Sequence, residues 1–282
     1  MSKSFIERFL FPDIKLDHIK LQNAITKKTI VITGASYGIG EQLALLFSNY
    51  NVHLILIART EEKLNTISNI VRKNGSQCNF IIADLYQETE TERIIKELSN
   101  VTNRVDIFIS NAGKSIMRSL ENSLNRYHDF TRTNSLNYLS PVKITLAITP
   151  LLKDSEGQII NVSAINVLLL PASKWAAYQA YKTAFDQWFR CNIAEWKIMK
   201  IQAKTIYLPL VRTRMIIPNL KYKNYPAMQP QQAAFRIAKL IYSSKAYSKP
   251  WWLIFLQLGS FFGKSIWEKI SFFELKNNEK NI

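Results

Sequence analysis

The chain has few cysteines: only Cys78 and Cys191 occur among 282 residues. They lie far apart and show no metal-ligand spacing, so we expect two reduced thiols, no disulfide framework and no bound metal. A continuous apolar run is also missing near the N-terminus, where Glu7, Arg8 and Asp13 interrupt short apolar pieces. This pattern argues against a secretory signal, and we expect a cytoplasmic protein.

Acidic residues are scarce in one part of the chain. Between Cys191 and Pro250 there are eleven Lys and Arg residues but a single acidic residue, Glu195, and the whole chain has a formal net charge of +16. One interpretation is a solvated basic surface. The other is attraction to the phosphates of a cofactor, a substrate or an anionic membrane. No DNA- or RNA-binding motif accompanies the charge, so nucleic acid is not an expected partner.

Apolar runs typical of strands alternate with segments of helical periodicity. Strands are predicted over residues 29–33, 52–58, 80–83, 105–110, 157–163 and 202–208. Helices are predicted over residues 41–50, 61–73, 88–98, 178–199 and 231–242. This alternation predicts an α/β fold: one doubly wound, Rossmann-type domain whose parallel sheet is flanked by helices. The expected organisation is an N-terminal extension (1–27), a nucleotide-binding catalytic domain (28–245) and a hydrophobic C-terminal extension (246–282).

A glycine-rich turn connects the first predicted strand to the first predicted helix. Its glycines let the backbone approach a pyrophosphate, and the helix N-terminus adds free N–H donors. The second strand ends at Arg59, and a basic residue there suits the 2′-phosphate of NADP(H) better than the free ribose of NAD. We therefore predict NADP(H) as cofactor. The turn residues expected to bind it are Gly34, Ser36, Tyr37, Gly38, Ile39 and Gly40.

Tyr178 and Lys182 lie four residues apart at the start of the longest predicted helix. That spacing puts both side chains on one helix face, where they can reach the same cleft. A phenol with its ordinary pKa of about 10 is a poor acid or base near neutral pH, and a nearby cation lowers that pKa. We predict that Tyr178 transfers a proton and that Lys182 lowers its pKa.

Together these motifs resemble the short-chain dehydrogenase/reductase family over roughly residues 28 to 240. Two further features follow the family's order: Asp84 after the third strand, and Asn111-Ala112-Gly113 after the fourth. The resemblance implies an NAD(P)-dependent oxidoreductase. It also implies that Asp84 contacts the adenine and that Asn111, Ala112 and Gly113 support the sheet beside the cofactor.

The family also has a helix asparagine that relays protons, for which Asn134 and Asn137 are candidates. The run that begins at Asn137 matches the family pattern better, so Asn137 is the expected relay residue. By the same resemblance, Lys182 holds the nicotinamide ribose, and Thr213 is available for the carboxamide.

One departure from the family concerns the catalytic serine. That serine is usually the second of a Ser-Ser pair, thirteen residues before the tyrosine. Here the pair is Ser163-Ala164, and Ala164 precedes Tyr178 by fourteen residues. Ser163 is the expected substitute, with Asn166 as a second candidate. Loss of one such hydrogen-bond donor typically costs about 10²–10³ in rate, so activity is expected to fall without being abolished.

Residues 111–119, 126–130 and 206–213 are similar to bacterial fatty acyl-CoA reductases. We expect an NADPH-dependent reductase of lipid metabolism, acting on a hydrophobic carbonyl or fatty acyl-CoA substrate and assembled as a homo-oligomer. The missing serine keeps a second hypothesis open, a non-catalytic NADP-binding protein that associates with membranes. A third is an alcohol dehydrogenase working in the oxidative direction.

The most apolar stretch runs from Trp251 to Phe262. It is too short to cross a bilayer, which needs about twenty residues. In one continuous helix, Gln257, Ser260, Lys264 and Glu268 would form a single polar stripe. Such a helix either covers the substrate cleft or a dimer interface, or it lies on the inner face of an anionic membrane. Both interpretations favour a long apolar substrate.

Overall fold

The computed structural model describes residues 4–216, 222 and 224–279. Within these residues there are seven strands: β1 (Thr29–Thr33), β2 (His53–Ala58), β3 (Gln77–Ile82), β4 (Ile107–Ser110), β5 (Gln158–Ala164), β6 (Gln202–Leu208) and β7 (Tyr247–Ser248). The α-helices of the same residues are α1 (Phe5–Leu10), α2 (His18–Ile25), α3 (Gly38–Phe47), α4 (Glu61–Lys73), α5 (Glu88–Val101), α6 (Tyr127–Asn134), α7 (Ser140–Asp154), α8 (Ala176–Cys191), α9 (Ile193–Ile198), α10 (Pro230–Ile241), α11 (Leu253–Phe262) and α12 (Lys264–Glu279).

The strands form one parallel sheet in the order β3-β2-β1-β4-β5-β6-β7. The chain winds outward from β1 to β3 and then crosses to β4 on the other side of β1. In open sheets of this kind, ligands bind where the winding reverses, beyond the carboxyl ends of the strands. The predicted doubly wound α/β fold is confirmed, and the ends of β1 and β4 mark the site to examine.

Both faces of the sheet are covered. Every residue of β1 is buried, and Ile30 and Ile32 pack into one apolar core while Val31 packs into the other. The first core includes residues of α3, α4 and α10, and the second includes residues of α5, α7 and α8. A parallel sheet with helices on both faces requires such continuous apolar strands, which explains why the apolar runs predicted the sheet correctly.

Two predicted helices are interrupted. The helix expected over 178–199 divides into α8 and α9, because the Asn192 side chain donates to the carbonyl of Trp188, 2.7 Å away, and competes with the helical pattern. The apolar C-terminal helix ends at Gly263, where α11 gives way to α12. Its polar residues therefore do not form the single continuous stripe that the sequence predicted.

The two terminal extensions pack against the domain and against each other. In α1 the buried Glu7 carboxylate accepts hydrogen bonds from the Arg212 guanidinium and the Ala227 N–H. The Trp252 indole, just before α11, donates to the carbonyl of Leu10 at 3.1 Å. Of the helices that the structure describes, none is both long and apolar enough to cross a membrane.

A buried lysine fixes α10 to the sheet. Lys204 of β6 lies under the end of α10, and its Nζ donates to the carbonyls of Leu240, Ile241 and Ser243 at 3.1, 3.0 and 2.8 Å. Carbonyls at the end of a helix lack the full set of helical partners, and a cation is favourable there. Of the three, the Leu240 carbonyl also accepts from the N–H of Ser243 at 3.2 Å. Lys204 is thus a structural lysine.

Candidate active site

The ends of β1 and β4 are tied together by hydrogen bonds. Thr33 Oγ1 accepts from the N–H groups of Asn111 and Ala112 at 3.0 and 3.1 Å. In return, Asn111 Nδ2 donates to the carbonyls of Thr33 and Gly34 at 3.0 and 3.3 Å. Asn111 and Ala112 therefore hold the glycine turn at the reversal point of the sheet.

The glycines of the turn have little space around them. Gly34 and Gly38 have φ angles of +68° and +63°, which favour glycine. A Cβ on Gly38 would lie 2.9 Å from the Thr213 methyl group, and a Cβ on Gly40 would overlap the carbonyl oxygen of Gly34. The turn is thus a bare backbone cradle at the N-terminus of α3, and it brings Thr213 against Gly38.

A cleft of about 680 Å³ opens beside this cradle. Its wall takes residues from the carboxyl ends of six strands: Gly34, Ala58, Ala83, Ala112, Ala164 and Leu208. The predicted residues Ser36, Tyr37, Ile39, Gly113 and Thr213 also line it. The strand order thus gathers, into one crevice, residues as far apart in the chain as Gly34 and Thr213.

At the β2 end of the cleft, Arg59 and Asp84 form an ion pair with Nη1 and Oδ1 3.6 Å apart. Arg59 also lies over the Tyr86 ring, 5.1 Å from its centroid. The wall here consists of Ala83, Leu85 and Tyr86, while Asp84 accepts the N–H of Tyr86 at 3.2 Å. The structure thus places the predicted 2′-phosphate residue and the predicted adenine residue side by side.

Tyr178 and Lys182 of α8 both line the cleft. Burial raises the pKa of Tyr178 to about 12, with a smaller contribution from Tyr222, and burial lowers the pKa of Lys182 to about 8. The pKa of Tyr178 is therefore shifted in the direction opposite to the one predicted, because burial is the main cause and Lys182 makes no resolved contribution. Near neutral pH Tyr178 carries its proton.

Asn137 lies buried behind the wall, in a π-helical turn (Ser135–Leu139) between α6 and α7. Its side-chain amide makes two hydrogen bonds to the backbone of Lys114: Nδ2 donates to the carbonyl and Oδ1 accepts from the N–H, both at 2.9 Å. A Cβ on Gly113 would lie 3.3 Å from Asn137 Oδ1 and 3.5 Å from Lys182 Nζ. Gly113 therefore leaves open the space between these two side chains. Asn134, the other candidate, ends α6.

The expected serine position is occupied by Ala164, which lines the cleft. Ser163 also lines the cleft; its hydroxyl is buried, lies near the carboxylate of Asp186 and makes no hydrogen bond of good geometry within the described residues. Burial raises the pKa of Asp186, and the Ser163 hydroxyl opposes that shift. Asn166 lines the cleft in the short 3₁₀ turn (Ile165–Leu168) that follows β5.

Comparison with known proteins decides the family. The family model described as short chain dehydrogenase matches residues 28–223. The chain belongs to the short-chain dehydrogenase family. As a member of that family it is an oxidoreductase with a nicotinamide cofactor.

Curated relatives support a narrower likeness. A fatty acyl-CoA reductase of Acinetobacter baylyi is 38% identical over 221 residues, which cover 78% of this chain and 74% of that protein. A fatty acyl-CoA reductase of Mycobacterium tuberculosis is 32% identical over 211 residues, covering 74% of this chain and 72% of the relative. The predicted similarity of this short-chain dehydrogenase to bacterial fatty acyl-CoA reductases is confirmed.

The fold also matches a solved structure. A short-chain dehydrogenase from Sphingobium yanoikuyae, in complex with NADPH, superposes with a TM-score of 0.72 at 20% identity. The match covers 79% of this chain and 87% of that one. At this identity the likeness establishes the fold.

Several residues of the cleft carry no family motif and escaped the sequence analysis. Trp175 stands between Tyr178 and Tyr222, with ring centroids 5.8 and 5.7 Å away. Leu10, Phe11, Trp252 and Tyr225 line other parts of the cleft. Trp175 could have been found from its position three residues before Tyr178, one turn along the same face. The others come from distant segments, and only their aromatic or apolar character was available as a signal.

Proposed function

We propose that this short-chain dehydrogenase is an NADPH-dependent reductase of long, apolar carbonyl or fatty acyl substrates. The observation that carries the proposal is the position of Tyr178 and Lys182 in one cleft with aromatic walls, next to a glycine cradle. The cleft has the size of sites for cofactors and their substrates, about 300–1,000 Å³. The names of the two reductase relatives, from Acinetobacter and Mycobacterium, support the fatty acyl substrate class.

The residues present fit a dinucleotide. Side chains on Gly34, Gly38 or Gly40 would collide with neighbouring protein atoms, so only glycine allows the tight turn that such a fold uses to bring backbone to a pyrophosphate. We assign the pyrophosphate to the turn from Gly34 to Gly40, including Ser36, Tyr37 and Ile39. Arg59 would hold the 2′-phosphate, and this contact is the basis for NADPH over NADH. Asp84 would contact the adenine, and Thr213 the carboxamide.

In the proposed reaction, the chain's own residues bind the carbonyl and manage its proton. NADPH, when bound, would supply the hydride that the carbonyl carbon receives. With an acyl-CoA, addition of hydride and proton gives a hemithioacetal, which breaks its carbon–sulfur bond, releases the CoA thiol and leaves the aldehyde. Tyr178 donates its hydroxyl proton to the carbonyl oxygen. A pKa of about 12 makes it a weak acid, but the oxygen gains alkoxide character and becomes basic enough to take that proton. Lys182 would hold the nicotinamide ribose and pass a proton back towards Tyr178. Asn137 positions the Lys114 backbone beside this route.

Because alanine replaces the second serine of the family's pair, Tyr178 must supply more of the polarisation of the substrate carbonyl. Ala164 offers no hydrogen bond to the carbonyl oxygen, and the Ser163 hydroxyl faces Asp186. Asn166, which follows β5, is a side-chain donor on the cleft wall. We therefore propose a reductase that works with Tyr178 as its main polarising group, at a rate reduced by about 10²–10³ relative to a site with the serine.

The test is NADPH oxidation by the 282-residue chain with a panel of fatty acyl-CoAs, long-chain aldehydes and short aldehydes. We expect turnover with the long apolar substrates. Tyr178→Phe should lose about 10²–10⁴ in kcat, the usual contribution of a general acid. Tyr181→Phe is the matched control, because Tyr181 lies on the same helix but outside the cleft wall, and it should keep full activity.

Two results would contradict the proposal. Normal turnover by Tyr178→Phe would remove the assigned role. Tight NADPH binding by the wild type, without turnover of any substrate in the panel, would favour the non-catalytic alternative. In that case Ala164→Ser decides whether the serine alone is missing, because it restores the donor at the cleft wall.

A further inference from the structure

Helix α11 presents its apolar side to the outside. Leu253 is buried and the polar Gln257 and Ser260 are partly buried, so these three residues, spaced four and three apart, form the face towards the protein. The rest of the helix is exposed and uncharged; Phe261 and Phe262 are each 78% exposed. The other exposed apolar side chains of α11 are Ile254, Phe255, Leu256 and Leu258. This arrangement is the reverse of an ordinary surface helix.

Helix α12 continues the apolar surface and places two of its three lysines beside it, although its three glutamates leave the helix without net charge. Ile266, Ile270 and Phe273 are exposed and lie on one helix face by their spacing. Lys269 and Lys276 are exposed on the same face, three residues after Ile266 and after Phe273. An apolar row with lysines along it is typical of helices that lie in a membrane interface.

The N-terminal helix joins this surface from the other end of the chain. Phe5, Ile6 and Phe9 of α1 are exposed. The Phe9 ring contacts Trp251 with centroids 5.2 Å apart, and Trp251 contacts Phe255 at 6.4 Å. We call the exposed apolar residues of α1, Trp251, α11 and α12 the terminal apolar surface. It contains more than half of the exposed large apolar side chains of the described residues.

The terminal apolar surface borders the cleft. Leu10 and Phe11, at the end of α1, line the cleft, and so does Trp252. On the other side, the Trp267 indole of α12 donates to the carbonyl of Pro171 at 2.7 Å. Pro171 adjoins Ala172, another residue of the cleft wall. The three terminal helices are therefore fastened to two sides of the same opening.

We propose that the terminal apolar surface docks this protein onto an anionic lipid bilayer, in the plane of the interface. Large contiguous apolar patches on soluble proteins mark interaction sites. The charge of the protein favours a lipid partner over a second copy of the chain. A second copy would bring another net charge of +16 and place its lysines against Lys269 and Lys276, so the two copies would repel each other. Anionic headgroups instead attract these lysines. An apolar substrate dissolved in the bilayer then reaches the cleft between α1 and α12 without crossing water.

The apolar part of the proposal is tested by vesicle co-sedimentation. The probes are vesicles of phosphatidylcholine mixed with phosphatidylglycerol, and vesicles of phosphatidylcholine alone. We expect the full chain to bind the anionic vesicles at least about tenfold more tightly. The triple variant Phe255→Ser/Phe262→Ser/Phe273→Ser should bind about a hundredfold more weakly than wild type. A matched control, Ile70→Ser/Leu146→Ser/Ile198→Ser, changes three exposed apolar residues elsewhere and should bind like wild type.

The charge part uses Lys269→Glu/Lys276→Glu, for which we expect roughly thirtyfold weaker binding to the anionic vesicles. Lys96→Glu/Lys153→Glu makes the same charge change on α5 and α7 and is the control. Because α11 and α12 side chains in these variants lie outside the cleft wall, NADPH oxidation with a short, water-soluble aldehyde should be unchanged. That readout reports on folding and on the reductase proposal independently of lipid.

Vesicle binding is measured without turnover, so the two proposals can fail separately. The protein can reduce its substrate without binding vesicles, and it can bind vesicles without reductase activity. The proposal is overturned when wild type does not bind anionic vesicles, or when the triple variant binds them as well as its control. A wild-type dimer in analytical ultracentrifugation that the triple variant converts to a monomer, with no vesicle binding by either, would assign the surface to a second copy instead.

Discussion

Two buried lysines with similar pKa values are predicted to affect stability in opposite directions. Burial lowers the pKa of Lys182 and of Lys204 to about 8. In the described part of the chain, the Lys182 ammonium has one hydrogen-bond acceptor, the Val162 carbonyl at 3.1 Å. Lys204 instead caps three carbonyls at the end of α10. We therefore expect the charged Lys182 side chain to lower the free energy of unfolding, because the site holds a poorly compensated cation. We expect Lys204 to raise the free energy of unfolding through its hydrogen bonds to α10.

The magnitudes follow from the partners. A pKa lowered from 10.5 to about 8 means that folding disfavours the charged form of Lys182 by about 3 kcal/mol near neutral pH. Lys182→Met keeps the shape and removes the charge, so the free energy of unfolding should rise by about 1–3 kcal/mol. Lys204→Met leaves the carbonyls of Ile241 and Ser243 without their donor, at about 1–3 kcal/mol each, whereas the Leu240 carbonyl still accepts from the N–H of Ser243. Relief of the buried charge offsets part of this cost, and the net loss should be on the order of 1 kcal/mol.

Urea unfolding of the protein without added cofactor, followed by tryptophan fluorescence, measures both changes. Between the folded pKa of about 8 and the unfolded value of 10.5, the unfolded chain holds one more proton at Lys182 than the folded chain. Stability of the wild type therefore rises with pH in this range, and its deficit relative to Lys182→Met should narrow from pH about 7 to about 10. A Lys182→Met protein less stable than wild type, or two variants that shift in the same direction, would refute the reasoning.

Three further predictions concern activity. Arg59→Ala should raise KM for NADPH by about 10- to 100-fold and leave KM for NADH nearly unchanged in steady-state kinetics, because only the 2′-phosphate contact is lost; equal effects on both cofactors would contradict the assignment. The pH profile of kcat/KM for carbonyl reduction should fall above pH of about 8, where Lys182 loses its proton while Tyr178, with a pKa of about 12, keeps its own; a rate that stays flat up to pH of about 10 would speak against a charged Lys182. Trp252→Ala should raise KM for long-chain acyl substrates but not for short aldehydes, because the indole lines the cleft and holds Leu10; a uniform change for both chain lengths would place Trp252 outside the acyl path.

The sheet and the cradle could be predicted from sequence because both depend on local patterns. The strands read as unbroken apolar runs, since the sheet is buried on both faces. The motif residues converge because the carboxyl ends of parallel strands meet at one edge. Thr33 and Asn111, 78 positions apart, become hydrogen-bonded neighbours for this reason alone. The order of the motifs along the chain and the direction of the strands were sufficient to predict that these residues meet.

Other features could not be predicted because they depend on contacts between distant segments. The pKa of Tyr178 rises through burial and through Tyr222, 44 residues further along the chain. The spacing of Tyr178 and Lys182 alone predicted a lowered pKa, which is the opposite direction. Helix α1 is held by Glu7 to Arg212, and no local pattern connects residues 205 positions apart. Sequence spacing also located the polar residues of α11 correctly, but it did not show that Gln257 and Ser260 face inwards.

The geometry of β5 explains why Ser163 is not placed to replace the missing serine. Side chains alternate along a strand, so Asn161 and Ser163 face α8, where both lie near Asp186, while Ala164 faces the other way. Bringing Ser163 to the position of Ala164 would require a one-residue slip of β5. Such a slip would break the register with β6, in which Ser163 pairs with Tyr207 and Ala164 with Leu208, and would turn every buried side chain of the strand to the wrong face. The cost of that rearrangement far exceeds the value of one hydrogen bond to the carbonyl oxygen, about 2.7–4 kcal/mol in transition-state stabilisation. We therefore expect Tyr178 and hydrogen-bond donors that follow β5 to polarise the substrate carbonyl.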